Sequence, residues 1–251
     1  MLDAGSWMLI TGIHHQMSYT SSILHPVTDL GKTQNIDMSV RLLDLGAGEG
    51  AMSKRLASAG YHVEAVEIFR ERFQAPCVPC HCLDLNKGFA QSIDQKFHCI
   101  VAIEIIEHLE NPRHFLRNCW QLLDESGVLF FTSPNAESWN SRLIFLKHGR
   151  FQFFGDNDYR NSGHITALFS WQIEQILKEI GFESLCKTGL NEKFVWQIAY
   201  NHSGHPVMTF PVKLALWTFL GLGFRKNAQG AINLFVLRRP AGSAVGRIHS
   251  R

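Results

Sequence analysis

Residues 40 to 50, Val-Arg-Leu-Leu-Asp-Leu-Gly-Ala-Gly-Glu-Gly, constrain this chain more than any other stretch, because a short apolar run breaks into three alternating glycines just before a helical pattern. The pattern reads as strand, tight turn and helix start. Gly46, Gly48 and Gly50 permit positive φ and a close backbone approach to a ligand, and the first N–H groups of the following helix face the same crevice. The turn predicts a nucleotide-type pocket at the edge of an α/β sheet.

Spacing alone leaves the nucleotide open, since Gly46, Gly48 and Ala51 also satisfy the loose dinucleotide pattern Gly-x-Gly-x-x-Gly/Ala. Charge separates the options. Asp44 and Glu49 place carboxylates beside the turn, where a pyrophosphate would be repelled and a ligand with sulfonium and ammonium groups attracted. The stretch resembles motif I of the class I S-adenosylmethionine-dependent methyltransferases, an apolar pair followed by Asp-x-Gly-x-Gly-x-Gly, and it matches that motif in full. The resemblance covers roughly residues 38 to 190, with a last-strand match at 231 to 238. It implies an α/β, Rossmann-like doubly wound sheet of seven strands, six parallel and the last antiparallel, with helices on both faces. It also implies S-adenosylmethionine as cofactor, with Asp44, Gly46, Ala47, Gly48, Gly50, Glu67, Ile68, Asp84, Leu85 and Glu104 around it.

The rest of the chain fits this frame element by element. Ala51 to Ala59 reads as a helix closed by Gly60, and His62 to Glu67 as a strand ending in an acid about 20 residues beyond the glycine turn, where it can accept bonds from ribose hydroxyls. A short strand over His81 to Leu85 follows. By resemblance Asp84 and Leu85 read the adenine, although an Asp that starts a turn before Asn86, Lys87 and Gly88 explains the residue almost as well. Phe97 to Ile103 is apolar nearly throughout, as a strand covered on both faces should be. Asn111 and Pro112 start a helix that runs to about Leu123. Gly127 to Ser133 is the fifth strand, Ser170 to Ile180 a helix, Phe182 to Lys187 the sixth strand and Ala231 to Leu237 the last.

The run Glu-Ile-Ile-Glu-His-Leu at 104 to 109 is similar to that of ubiquinone-biosynthesis O-methyltransferases and of small-RNA 3′-end 2′-O-methyltransferases. The i, i+3 and i+4 spacing of Glu104, Glu107 and His108 lets one helical turn present all three on one face. The small-RNA enzymes use two Glu and two His to hold a cation, which implies Glu104, Glu107, His108 and His164 as ligands of a divalent cation here. Without a cation, His108 is the general base, and His164 joins it as a catalytic candidate. The segment Ser-Gly-His-Ile-Thr-Ala-Leu-Phe-Ser, 162 to 170, is similar to a recurring segment of one large methyltransferase subfamily.

Composition bounds the setting. A formal charge of +2 argues for plain solubility and against nucleic acid as the partner. Six scattered cysteines with no secretory leader predict a reduced, cytoplasmic setting. Cys77, Cys80 and Cys82 lack the second pair that a zinc site needs, so burial beside a strand is the expectation for them. Residues 1 to 36 read as an arm, 37 to 240 as one methyltransferase domain with lid insertions at 136–168 and 190–230, and 241 to 251 as a disordered tail. The apolar stretch 206–224 is interrupted by Pro211 and Lys213 and barely reaches the roughly 17 to 25 residues that span a bilayer. It is expected to cover the site and touch a membrane surface or a lipid-like substrate. The function that follows is O-methylation of a small-molecule or lipid-like hydroxyl. The alternatives are a metal-dependent RNA 2′-O-methyltransferase, a non-catalytic methyltransferase-like binding protein and a nicotinamide-dependent oxidoreductase.

Overall fold

The computed structural model describes residues 40–190 and 230–242. The arm, the apolar stretch 206–224 and most of the second lid and of the tail lie outside the described residues. The strands are β1 (Arg41–Leu45), β2 (His62–Val66), β3 (Cys80–His81), β4 (Phe97–Ala102), β5 (Leu123–Pro134), β6 (Glu183–Leu190) and β7 (Ile232–Arg238). The helices are α1 (Ala51–Ser58), α2 (Pro112–Leu122), α3 (Trp139–His148) and α4 (Ser170–Ile180). The strands form one seven-stranded sheet in the order β3-β2-β1-β4-β5-β7-β6. β7 runs antiparallel to both β5 and β6, and the other pairs are parallel, so the expected six-plus-one arrangement is the one observed.

Strand alternation assigns the two faces. Leu42, Val101 and Phe130 join Met52 and Leu56 of α1 in one apolar cluster. Leu43, Ile100 and Phe131 join Phe115 and Trp120 of α2 and Ile173 and Ile176 of α4 in the other. Helices therefore cover both faces, which is why the central strands are apolar on both sides. Because Asp44 is two residues beyond Leu42, it faces α1, a point that decides its role in the site.

Strand order reverses beside β1, which neighbours β2 on one side and β4 on the other. Open α/β sheets bind ligands at the carboxyl edge of such a switch point. The glycine turn, Glu67 and Glu104 all follow the carboxyl ends of their strands there.

Two strands are longer than expected, one is much shorter, and β2 and β4 each end one residue early. β5 begins at Leu123 because Leu123 already pairs with Phe97, with a positive φ of 64° at Ser126 accommodating the irregularity. β6 extends to Leu190 because β7 continues the ladder to the Leu190–Ile232 pair. β3 is cut to Cys80 and His81, the residues that pair with Ala65 and Val66. Cys77 and Cys82 are exposed rather than buried beside a strand, because they flank that two-residue strand in loops. Among the described residues, no helix is long and apolar enough to cross a membrane.

Candidate active site

The glycine turn has the predicted backbone. Gly46, Gly48 and Gly50 have φ of 70°, 55° and 84°. A Cβ on Gly46 would lie 2.7 Å from the Ile105 side chain, and one on Gly50 would lie 2.8 Å from Phe73, so both space and conformation require glycine. The Gly46 and Ala47 N–H groups donate to the Val66 carbonyl at 2.9 and 3.0 Å, tying the turn to the end of β2.

Glu67 completes that link. Its Oε2 accepts the Gly48 N–H at 2.8 Å and its Oε1 accepts the Phe69 N–H at 3.0 Å, so the carboxylate fixes the turn as well as facing the crevice edge. Ile68 beside it is exposed. Asp44 lies beneath the turn, 3% exposed, and accepts the Ser53 hydroxyl at 2.5 Å. Burial raises its pKa to about 6 against the opposing pull of the Ser53 bonds. Ser53 was not among the residues expected from sequence; its signal is a polar residue one turn into α1, on the face where Asp44 must point. Asp84 follows β3 and accepts the Asn86 N–H at 2.9 Å, with Lys87 Nζ at 3.7 Å, the turn-starting geometry. Leu85 is buried in the core.

The turn after β4 differs from the expected helical one. Glu104 has a left-handed φ of 49°, and only Ile106–His108 form a single 3-10 turn. The cause is the sharp exit from β4: Thr132 Oγ1 on β5 accepts the Glu104 N–H at 2.8 Å and holds the chain there. The Thr132 side chain carried no sequence signal. A left-handed non-glycine residue costs of order 1 kcal/mol or more and persists only where neighbours hold it.

The segment 136–168, expected from sequence to be a lid, supplies the remaining residue. Between α3 and α4 the chain forms a π-helical turn at Asp158–Ser162, capped by Gly163 with φ of 73°. His164 follows, with its ring centroid 4.8 Å from that of His108. His108 Nδ1 lies 3.1 Å from the Gly163 carbonyl, and His164 Nδ1 lies 2.8 Å from the Phe153 carbonyl. A carbonyl can only accept, so each Nδ1 carries the hydrogen and each Nε2 is left with a lone pair. His108 Nε2 is 4.0 Å from Glu107 Oε1. One ligand atom from each of Glu107, His108 and His164 lies within 4.8 Å of the others. Glu104 stands beside this group and acts on Glu107 through charge.

The electrostatics of the cluster are those of buried carboxyl groups that lack hydrogen-bond partners. Among the described residues, both Glu107 oxygens and Glu104 Oε1 are buried without a hydrogen-bond partner. Burial raises the Glu104 pKa to about 7. Burial and then the Glu104 charge raise Glu107 well above the usual carboxylate range. Burial, followed by the His164 charge, lowers His108 to about 4. A buried carboxylate without partners is costly, and a bound cation is the usual compensation.

A family model described as a methyltransferase domain matches residues 13–187, more than half of the chain. The chain belongs to that family. The chain is similar to the ubiquinone biosynthesis O-methyltransferase of Coxiella burnetii strain CbuG_Q212, 30% identical over 141 residues that make up 52% of this chain and 60% of the relative. It is also similar to that of Rickettsia typhi, 24% identical over 130 residues, 49% of this chain and 52% of the relative. The matches thus span about half the length of these relatives. In fold it is similar to an S-adenosylmethionine-dependent methyltransferase from Archaeoglobus fulgidus, with TM-score 0.58, 17% identity, and 80% and 86% of the two chains covered. A plantazolicin methyltransferase solved with S-adenosylhomocysteine gives TM-score 0.59 at 13% identity, with 93% and 90% covered.

Proposed function

We propose that this methyltransferase moves the methyl group of S-adenosylmethionine to a hydroxyl on an apolar, lipid-like or small-molecule acceptor. We place that hydroxyl beside a divalent cation held by Glu107, His108 and His164, with Glu104 adjoining. The names of the relatives support oxygen as the acceptor atom.

The observation that carries the cation is a buried Glu107 carboxylate with no hydrogen-bond partner among the described residues, grouped with His108 and His164 so that one ligand atom from each lies within 4.8 Å of the others, while each histidine turns its Nδ1 to a carbonyl. Histidines that ligate metals commonly donate their other ring N–H to a carbonyl, which fixes tautomer and orientation in the way found here. Nitrogen and oxygen donors suit magnesium, manganese or zinc. Bound there, the cation would lower the pKa of a hydroxyl placed on it, as zinc lowers that of water to about 7.

The chain's own groups then have separate tasks. The turn at Gly46–Gly50 and Glu67 hold the nucleoside of the donor, while the carbonyls of Phe153 and Gly163 fix the tautomer and orientation of both imidazoles. His108, held near pKa 4, is poorly matched as a lone base for a phenol near about 10, and well suited as a neutral ligand. Exposed Phe145, Leu146, Tyr159 and Ile165 on and around the lid support an apolar acceptor.

The test is methyl transfer from labelled donor to a panel of phenols and hydroxylated lipids, after exhaustive chelation and after metal add-back. Activity should vanish with chelation and return with one of the three cations. Full turnover in the chelated enzyme, with His108→Ala still inactive, would discard the cation and leave His108 as the base.

A further inference from the structure

The segment 162–170 stood out in the sequence, and the proposed function uses His164, the Gly163 carbonyl and Ile165 from it. The structure gives Thr166 a task as well. Gly163 to Thr166 is bonded directly to the turn that carries Glu107 and His108. The Ile165 and Thr166 N–H groups both donate to the Glu107 carbonyl at 3.0 Å. The Thr166 hydroxyl donates to the Leu109 carbonyl at 2.6 Å, across 57 residues of sequence. Gly163 returns its carbonyl to His108 Nδ1. The backbone donors of this seam are present whatever the side chains are, but extended chain could slip along the turn and still find acceptors for them. The Thr166 hydroxyl selects one register, because it reaches a specific carbonyl two residues beyond the one shared by the amides. His164 and Thr166 are separated by one residue, so the register that seats Thr166 also sets how far His164 stands from His108 and Glu107.

We infer that Thr166 is a positioning residue of the cation site: through its hydroxyl bond to the Leu109 carbonyl it locks the lid against the Glu107–Leu109 turn and so sets the reach of His164. The inference rests on the cation reading given above. The Thr166 bonds go to the backbone carbonyls of Glu107 and Leu109, so its effect passes through the placement of His164.

The experiment is a cobalt(II) titration of the purified full chain, followed by visible absorption, for wild type, Thr166→Val and Thr166→Ser. S-adenosylhomocysteine binding is measured on the same samples. Valine keeps the shape and removes the donor, whereas serine keeps the donor. Thr166→Val should bind cobalt about 10-fold to 100-fold more weakly, the range for loss of an outer-shell partner, with an altered ligand-field spectrum. Thr166→Ser should match wild type, and all three should bind S-adenosylhomocysteine equally. Cobalt binding by Thr166→Val with wild-type affinity and spectrum would overturn the inference while leaving the cation reading standing. Loss of S-adenosylhomocysteine binding in Thr166→Val would also overturn it, by assigning the hydroxyl to general folding. Absence of any cobalt spectrum in wild type would defeat the cation reading itself, and the inference with it.

Discussion

Removing the hydroxyl of Ser53 isolates the electrostatics beneath the glycine turn. Asp44 is buried, and Ser53 donates to it at 2.5 Å. Above its pKa of about 6 the carboxylate is ionised, and the bond is then one to a charged group, a class that contributes about 1.5 to 3 kcal/mol. Below that pKa the bond is between neutral groups and contributes about 0.5 to 1.5 kcal/mol. The folded pKa lies above the unfolded value near 3.8, so the folded state binds the extra proton and wild type loses stability as pH rises through this window. In Ser53→Ala the folded pKa rises further, because burial is opposed by fewer bonds, and the loss with pH is larger. The variant should therefore be less stable than wild type by about 1.5 to 3 kcal/mol at pH 8 and by roughly half that at pH 5. In melting temperature the difference at pH 8 is about 3 to 12 °C, at about 2 to 4 °C per kcal/mol for a chain of this size. Urea unfolding at the two pH values is the assay. A destabilisation equal at both, or absent at pH 8, would refute the reasoning.

Glu67→Ala should weaken S-adenosylhomocysteine binding by about 1 to 3 kcal/mol, and it should also lower the melting temperature, since the carboxylate holds the Gly48 and Phe69 amides; an unchanged dissociation constant in calorimetry would assign the ribose to another acid. Thr132→Val leaves the Glu104 N–H without its acceptor and should destabilise the fold by about 1 to 3 kcal/mol in urea titrations, whereas Thr132→Ser should not. Cation affinity should rise with pH and binding should release protons, because Glu107, raised well above the carboxylate range, must ionise to act as a ligand, and the adjoining Glu104, near pKa 7, is drawn to ionise by the bound charge; calorimetry in two buffers of different ionisation enthalpy measures this, and a pH-independent affinity counts against it. Deleting 206–224 should reduce flotation with liposomes, and equal flotation without that stretch would remove it as the membrane contact.

What could be read from sequence was whatever the backbone itself demands. Three glycines at positive φ, an acid one strand later and alternating apolar runs fixed the turn, Glu67 and the faces of the sheet, because each depends on local steric or periodic rules. Properties set by distant neighbours were hidden. The turn at Glu104 to His108 looked helical by spacing, but Thr132, 28 residues away in sequence on the next strand, holds Glu104 in a left-handed conformation. The orientation of both imidazoles comes from the carbonyls of Phe153 and Gly163, and a carbonyl is common to every residue type. Asp44 was expected to act beside the ligand through its charge, whereas its carboxylate is buried against Ser53, a partner that only the packing of α1 on β1 supplies.

The geometry at Glu107, His108 and His164 is tested most directly by anomalous scattering from crystals grown with manganese and S-adenosylhomocysteine. The account predicts a single strong anomalous peak within coordination distance, about 2.0 to 2.3 Å, of a Glu107 oxygen and of both Nε2 atoms. Ordered S-adenosylhomocysteine at the glycine turn, with no anomalous peak among these three residues, would contradict it.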